Sequence, residues 1–274
     1  MGPHIAAIFK PNRSFLLGLI VPAIFLVVWE MSLRWSLVPA TLIASPAETL
    51  DALWSMINDG SLFSNSCISC QRLIFGFGNG CVIGIFLGCL IGTSRLASWL
   101  LQPTIAVIAP VPAVAWVPLI VMLLGIGEAS KIALIAFGTF FVVALHTANG
   151  IRSTDQQYVE LANVLGKNQT ELLAKVLFPS ALPHVFTGMR VAMALSWTLL
   201  LVSEIIASSE GLGWLIWDAR NFSRPADMFV GMIAVGVLGR LSDLALVSIE
   251  KIFTDWRSTY DTWQENVERS DYSY

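Results

Sequence analysis

Lys, Arg, Asp and Glu are absent from residues 73–94, 96–127 and 132–151, three unbroken runs of 22, 32 and 20 residues. A helix needs about 20 apolar residues to cross a bilayer core. With the apolar stretches near the two ends of the chain, the pattern predicts an all-α polytopic membrane protein of about six spanning helices. They fall near 15–35, 71–93, 97–124, 129–150, 185–208 and 228–252. The third contains Pro103, Pro110, Pro112 and Pro118 and is expected to kink, because each proline removes a backbone donor. Lys10 and Arg13 precede the apolar run Phe15–Trp29 in the manner of a signal peptide, but no small-residue cleavage site follows. An uncleaved first span is expected.

Two stretches between spans are amphipathic. Ser45-Pro46-Ala47-Glu48 is a capping box with proline at the first helical position. Leu50, Leu53, Trp54 and Ile57 follow at helical spacing, which predicts a short helix on the outer membrane surface. The second stretch carries Tyr158, Leu161, Ala162 and Leu165 at i, i+3, i+4, i+7, then Gly166, then a helical run from Gln169 to Leu177 that should end at Pro179. One face of this helix–Gly–helix unit should lie on the membrane domain, leaving a small-residue tip exposed. Within the second span, Gly76, Gly80, Gly84, Gly88 and Gly92 recur every four residues. Such a stripe lets a neighbouring helix backbone approach. Packing inside one subunit is the expectation, although the spacing equally fits a seam between two.

Composition agrees: 55% of residues are hydrophobic and 13% charged, against about 25% charged in a soluble domain. Mean hydropathy is +0.71. A net charge of −3 gives no basis for a nucleic-acid partner. Cys67 and Cys70 form a lone C-x-x-C with no second pair, and Cys81 and Cys89 lie in an apolar span, so neither redox nor metal chemistry is indicated. The three histidines are scattered, no H-E-x-x-H occurs, and no Gly-rich phosphate loop is present. Ionisable residues in or near the spans are Glu30, Arg190, Glu204, Arg240 and Asp243; Arg240 and Asp243, at i, i+3, should pair. Placing both termini in the cytoplasm puts ten Lys or Arg inside and five outside (Arg34, Arg72, Lys131, Arg220, Arg224). Residues 1–14 then form a cytoplasmic segment, 15–257 the membrane domain with a cytoplasmic loop at about 152–180, and 258–274 a polar tail expected to fray.

The loop carries a resemblance. Glu160-Leu161-Ala162, Gly166 and Val176-Leu177-Phe178-Pro179 resemble the EAA signature E-A-A-x3-G-x9-I-x-L-P of permease subunits in binding-protein-dependent ABC importers, with spacing kept throughout. Residues 110–119 (PVPAVAWVPL) and 125–131 (GIGEASK) look like the taurine and alkanesulfonate permeases. Gly188-Met189-Arg190, Ser196-Trp197, Ser203-Glu204 and Gly211-Leu212-Gly213 are similar to the wider nitrate/sulfonate/taurine/bicarbonate group.

The resemblance implies a type I ABC importer permease fold whose loop is a coupling helix. Glu160, Leu161, Ala162, Leu165, Gly166 and Pro179 would dock on a cytoplasmic ATPase. It implies a second permease copy, two ATPase subunits holding ATP and Mg, an external solute-binding protein, and a bacterial inner-membrane location. No cofactor is expected in this chain. Trp116, Ser196, Trp197, Ser203 and Glu204 are the candidates to line a translocation path. Taurine or an alkanesulfonate is the expected cargo, with nitrate, bicarbonate or another small solute as alternatives. A channel or secondary transporter would call for inverted repeats and midplane charges, and an intramembrane enzyme for catalytic groups; the sequence displays neither.

Overall fold

The computed structural model describes residues 20–35 and 43–271, and side chains at all of these except 23 and 255–271. Lys10, Arg13 and the rest of the segment 1–14 lie outside the described residues, as do 272–274. Regular structure among the described residues is helical. In chain order the helices are α1 Ile20–Arg34, α2 Pro46–Asn58, α3 Ser61–Thr93, α4 Arg95–Ile108, α5 Val117–Leu124, α6 Glu128–Arg152, α7 Gln156–Val164, α8 Gln169–Leu172, α9 Phe178–Ala207, α10 Leu212–Asn221 and α11 Pro225–Asp271. The chain divides into two compact units, Met1–Phe63 with Leu215–Ile233, and Ser64–Trp214 with Ala234–Tyr274.

Among the described residues, four helices are long and apolar enough to cross a membrane: α3, α6, the continuous helix Gln169–Ala207, and Pro225–Thr254. A fifth crossing would be α4 with Ala113–Leu124, but these two are bent by 91°. The predicted third span is therefore a broken element, not a kinked helix. Pro110 and Pro112 supply no backbone donor, and the chain leaves helical geometry at Pro112 (φ −53°, ψ 130°). The described part of α1 is 15 residues long, so a count of six rests on a span whose start lies outside the described residues.

Three boundaries differ from expectation. The second span begins at Ser61 rather than near 71: Asp59 accepts the Ser61 N–H at 2.8 Å, and Gly60, at φ +76°, turns the chain directly out of α2. The fifth runs back to Gln169 instead of starting near 185. Pro179 does not end the preceding helix, because a π-helical turn at Leu173–Leu177 re-registers the backbone just before it. At the far end, Thr254 (φ −121°, ψ 17°) breaks α11, yet the backbone is helical again to Asp271 where a frayed tail was expected.

In the first unit, the capping box at Ser45 forms as read: Ser45 Oγ accepts the Glu48 N–H at 3.1 Å and Glu48 accepts the Ser45 N–H at 2.7 Å. Leu50, Trp54 and Ile57 are exposed along one face of α2. Trp29 stacks on Phe229 with ring centroids 4.9 Å apart. Arg224 bridges Asp218 and Asp227.

The second unit is built on α3, α6 and α9. Gly76, Gly80, Gly84, Gly88 and Gly92 face Ile135, Thr139, Val143, Thr147 and Ile151 in step, and a Cβ on any of the five glycines would stand 2.5–2.9 Å from the opposing Cβ. The stripe is thus an intramolecular seam, which its spacing left open. On the other side of α6, Gly188 receives the His146 side chain in the same way. Phe77, Cys81, Val143, Ala192 and Leu246 close the core.

Candidate functional site

The loop between α6 and α9 takes its shape from three local devices. Asp155 caps α7 by accepting the Gln157 N–H at 2.9 Å. The helix then ends in a paired turn: the Gly166 N–H reaches Asn163 O and the Lys167 N–H reaches Ala162 O, both at 3.0 Å, with Gly166 at φ +71°. This is a Schellman termination, whose left-handed position favours glycine because a Cβ would clash there. Asn168 opens the next helix by accepting the Glu171 N–H at 2.8 Å. Glu171 pairs with Lys175 at 2.9 Å and Lys167 at 3.3 Å.

α7 meets the rest of its unit through small Ala162, which is buried, whereas Tyr158, Leu161, Val164 and Leu165 are exposed. The apolar face expected to rest on the membrane domain is instead turned outward. With Lys167, Lys175, Val176, Pro179 and Ser180, the loop residues Tyr158, Leu161, Ala162 and Leu165 line a groove of about 520 Å³. Glu160 is exposed and accepts a hydrogen bond from Gln156 Nε2 at 2.9 Å.

The candidate path residues separate. Ser196 is fully buried; its hydroxyl donates to Ala192 O and shares a 2.8 Å bond with Thr139 Oγ1. Ser203 donates to Leu200 O at 2.7 Å. Trp116 packs on Phe137, centroids 5.3 Å apart. Trp197 borders a cavity between α9 and α11.

Glu204 sits at the centre of a charged knot. It is 0% exposed and accepts from Ser69 Oγ at 2.7 Å, Arg72 Nη1 at 2.8 Å and the Gly213 N–H at 2.8 Å. Arg72, 4% exposed, also donates through Nε and Nη2 to the two oxygens of Glu128, each at 2.7 Å. Lys131 completes the group with Glu128 at 2.9 Å and Ser208 at 3.2 Å. Two cations meet two carboxylates, so the knot carries no net charge. In the sequence Arg72 figures only in a tally of external cations, and Lys131 there and at the end of the run 125–131. Arg72 and Glu204 lie 132 positions apart, and helical spacing gives no signal at that range. Arg240 pairs with Asp243 at 2.8 Å as expected, and Arg190 joins the same carboxylate at 2.8 Å.

Residues 80–255 match the family model described as binding-protein-dependent transport system inner membrane component. The chain belongs to that family. It is 35% identical over 255 residues to SsuC of Bacillus subtilis (strain 168), a permease protein named for aliphatic sulfonates transport, covering 92% of each chain. It is 29% identical to the taurine transport system permease protein TauC of Escherichia coli (strain K12), covering 89% of this chain and 91% of that one. The nitrate import permease protein NrtB of a Synechocystis strain is also 29% identical, over 84% of this chain and 86% of its own. Among solved structures, the chain matches the inward-facing MetNI methionine ABC transporter with TM-score 0.55 at 19% identity, covering 68% of this chain and 93% of that one. An amino acid ABC transporter with histidines matches at TM-score 0.56 and 18% identity, covering 74% and 97%. The protein is a multi-pass inner-membrane permease subunit of an ABC importer, and ATP hydrolysis in such importers resides in separate ATPase subunits.

Proposed function

We propose that this permease carries a small organic anion, taurine or an alkanesulfonate, inward by alternating access. Two copies would work with two ATPase subunits that bind ATP and Mg, and with an external binding protein that delivers the solute. Both termini face the cytoplasm in this reading, and the loop 152–180 docks on the ATPase. The observation that carries the coupling role is the outward apolar groove beside the Gly166 turn, since Leu161, Val164 and Leu165 stand exposed among the described residues. ATP biases the equilibrium only through its different affinity for the open and closed ATPase dimer. The loop's task is to transmit that difference to α6 and α9, between which it lies.

The choice of cargo rests on the run Gly125-Ile126-Gly127-Glu128-Ala129-Ser130-Lys131 and on the sulfonate relative being more similar than the nitrate one. Nitrate and bicarbonate are the competing cargoes. Competition uptake in proteoliposomes decides among them: unlabelled taurine or ethanesulfonate should suppress uptake, and suppression by nitrate alone would replace the sulfonate reading. Trp116 and Trp197 are the path-lining residues in this account; Ser196, Ser203 and Glu204 hold the wall from behind.

Two variants test the loop. Gly166→Val forces a β-branched residue to φ +71°, a strain of about 1–2 kcal/mol. The expected outcome is a permease that remains in the membrane but no longer retains or couples the ATPase in a pull-down and uptake assay. Glu160→Ala should keep the complex assembled and lower uptake; unchanged uptake would make Glu160 an ordinary solvated charge. Normal transport in Gly166→Val would remove the coupling role from this loop.

A further inference from the structure

The geometry points to an anion-binding site within this chain, between α9 and α11, in which Arg190 and the indole N–H of Trp197 hold the sulfonate or carboxylate of the cargo. It rests on the reading that the cargo is a small organic anion, and gives the permease a binding contact of its own.

A cavity of about 240 Å³ is bordered by Arg190, Ala194 and Trp197 on α9 and by Gly236, Gly239 and Asp243 on α11. That volume lies below the roughly 300–1,000 Å³ of drug-sized pockets, so it fits a small solute. Helical spacing explains the wall. Arg190 and Trp197 are seven residues apart and share a face, as do Gly236, Gly239 and Asp243. The glycines make the space: a Cβ at Gly236 would meet nothing within 4 Å.

Two features of the wall ask for an anion. Trp197 is 6% exposed and its buried Nε1 has no hydrogen-bond partner among the described residues. It lies 3.9 Å from where a Gly239 Cβ would stand, on the cavity side. A buried unpaired donor is costly and rare, and a ligand acceptor would satisfy it. The second feature is charge. Asp243 is the shared partner of Arg190 (Nε at 2.8 Å) and Arg240 (Nη1 at 2.8 Å). Glu250 also lies within electrostatic reach of Arg190, and it is Arg190 rather than Arg240 that borders the cavity.

Both a free organic anion and an anionic lipid headgroup present the oxygens this wall would recognise. The small volume favours the free solute. The test is uptake of labelled taurine and ethanesulfonate by the full complex, with ATPase and binding protein, in proteoliposomes of phosphatidylcholine with and without phosphatidylglycerol. Trp197→Phe removes the N–H together with part of the ring, and Arg190→Gln leaves Asp243 paired with Arg240. Each should lower uptake about tenfold, the size of one hydrogen bond to a charged group. Gly236→Leu, whose Cβ would meet nothing within 4 Å, should occupy the cavity and abolish uptake, while Arg224→Gln, in the other unit, should match wild type.

Wild-type uptake of sulfonates unaffected by Trp197→Phe, Arg190→Gln and Gly236→Leu would overturn the site and leave the cargo reading standing. A wild-type complex that imports no sulfonate or other organic anion would overturn both. Effects confined to phosphatidylglycerol vesicles would assign the cavity to lipid, and separation of the two permease copies by Gly236→Leu would assign it to their interface; either result contradicts the proposal.

Discussion

Arg72→Ala is expected to prevent this protein from accumulating as a folded, monodisperse species in detergent. The substitution leaves Glu204 at 0% exposure with only the Ser69 hydroxyl and the Gly213 N–H to hold its charge. Removing one partner of a buried ion pair costs about 3–5 kcal/mol, a large part of the roughly 5–15 kcal/mol that holds a typical domain together. Lys131 cannot substitute, because its ammonium is bound to Glu128 and Ser208. Glu204→Gln should be milder, since Arg72 keeps its two-pronged contact with Glu128. The double variant Arg72→Ala/Glu204→Gln should recover part of the loss, as neither charge is then orphaned. Size-exclusion profiles and thermal unfolding of the four proteins measure this. A single Arg72→Ala variant as stable as wild type would show that the knot contributes nothing.

Gly80→Val should be comparably damaging for a different reason. The new Cβ would fall 2.5 Å from Thr139 Cβ and 2.8 Å from Ala136 O. The second of these is backbone, which cannot rotate aside, so α3 and α6 must separate. Overpacking of a core costs roughly 1–3 kcal/mol when side chains can adjust, and here the opposing main chain restricts adjustment. Gly78 is the internal control: it lies two residues away on the same helix and has nothing within 4 Å. Gly78→Ala should leave stability unchanged or raise it by up to about 1 kcal/mol through helix propensity. Thermal unfolding of both in detergent makes the comparison, and equal stability of Gly80→Val and wild type would contradict the seam.

What could be read from the chain was what local spacing carries. The capping box at Ser45, the left-handed glycine at 166, the Arg240–Asp243 pair and the stripe from Gly76 to Gly92 all depend on residues within a turn or two of one another. Each was legible as a pattern, although the stripe's partner was not, because Ile135 to Ile151 show no matching signature of small residues. The charged knot was hidden for the same reason. Ser69, Arg72, Glu128 and Glu204 come from three helices, and only the fold brings them together. Proline misled in both directions. Pro110 and Pro112 bend the third span by 91°, more than a kink, while Pro179 is absorbed by a π-turn. Proline states where a backbone donor is missing, not how the neighbouring turns respond. In the loop, amphipathic spacing found α7 but not its orientation, since an apolar stripe reads alike whether it faces its own chain or a partner.

The most direct test of the account is reconstitution of this chain in sealed vesicles, alone and with its partner ATPase and binding protein. The account predicts no ATP hydrolysis and no solute uptake by the chain alone. With the ATPase present, hydrolysis should depend on the permease, rise with loaded binding protein, and accompany taurine or alkanesulfonate uptake. Uptake by the chain alone, driven by a solute or ion gradient without ATP, would contradict it and make the protein a channel or secondary transporter.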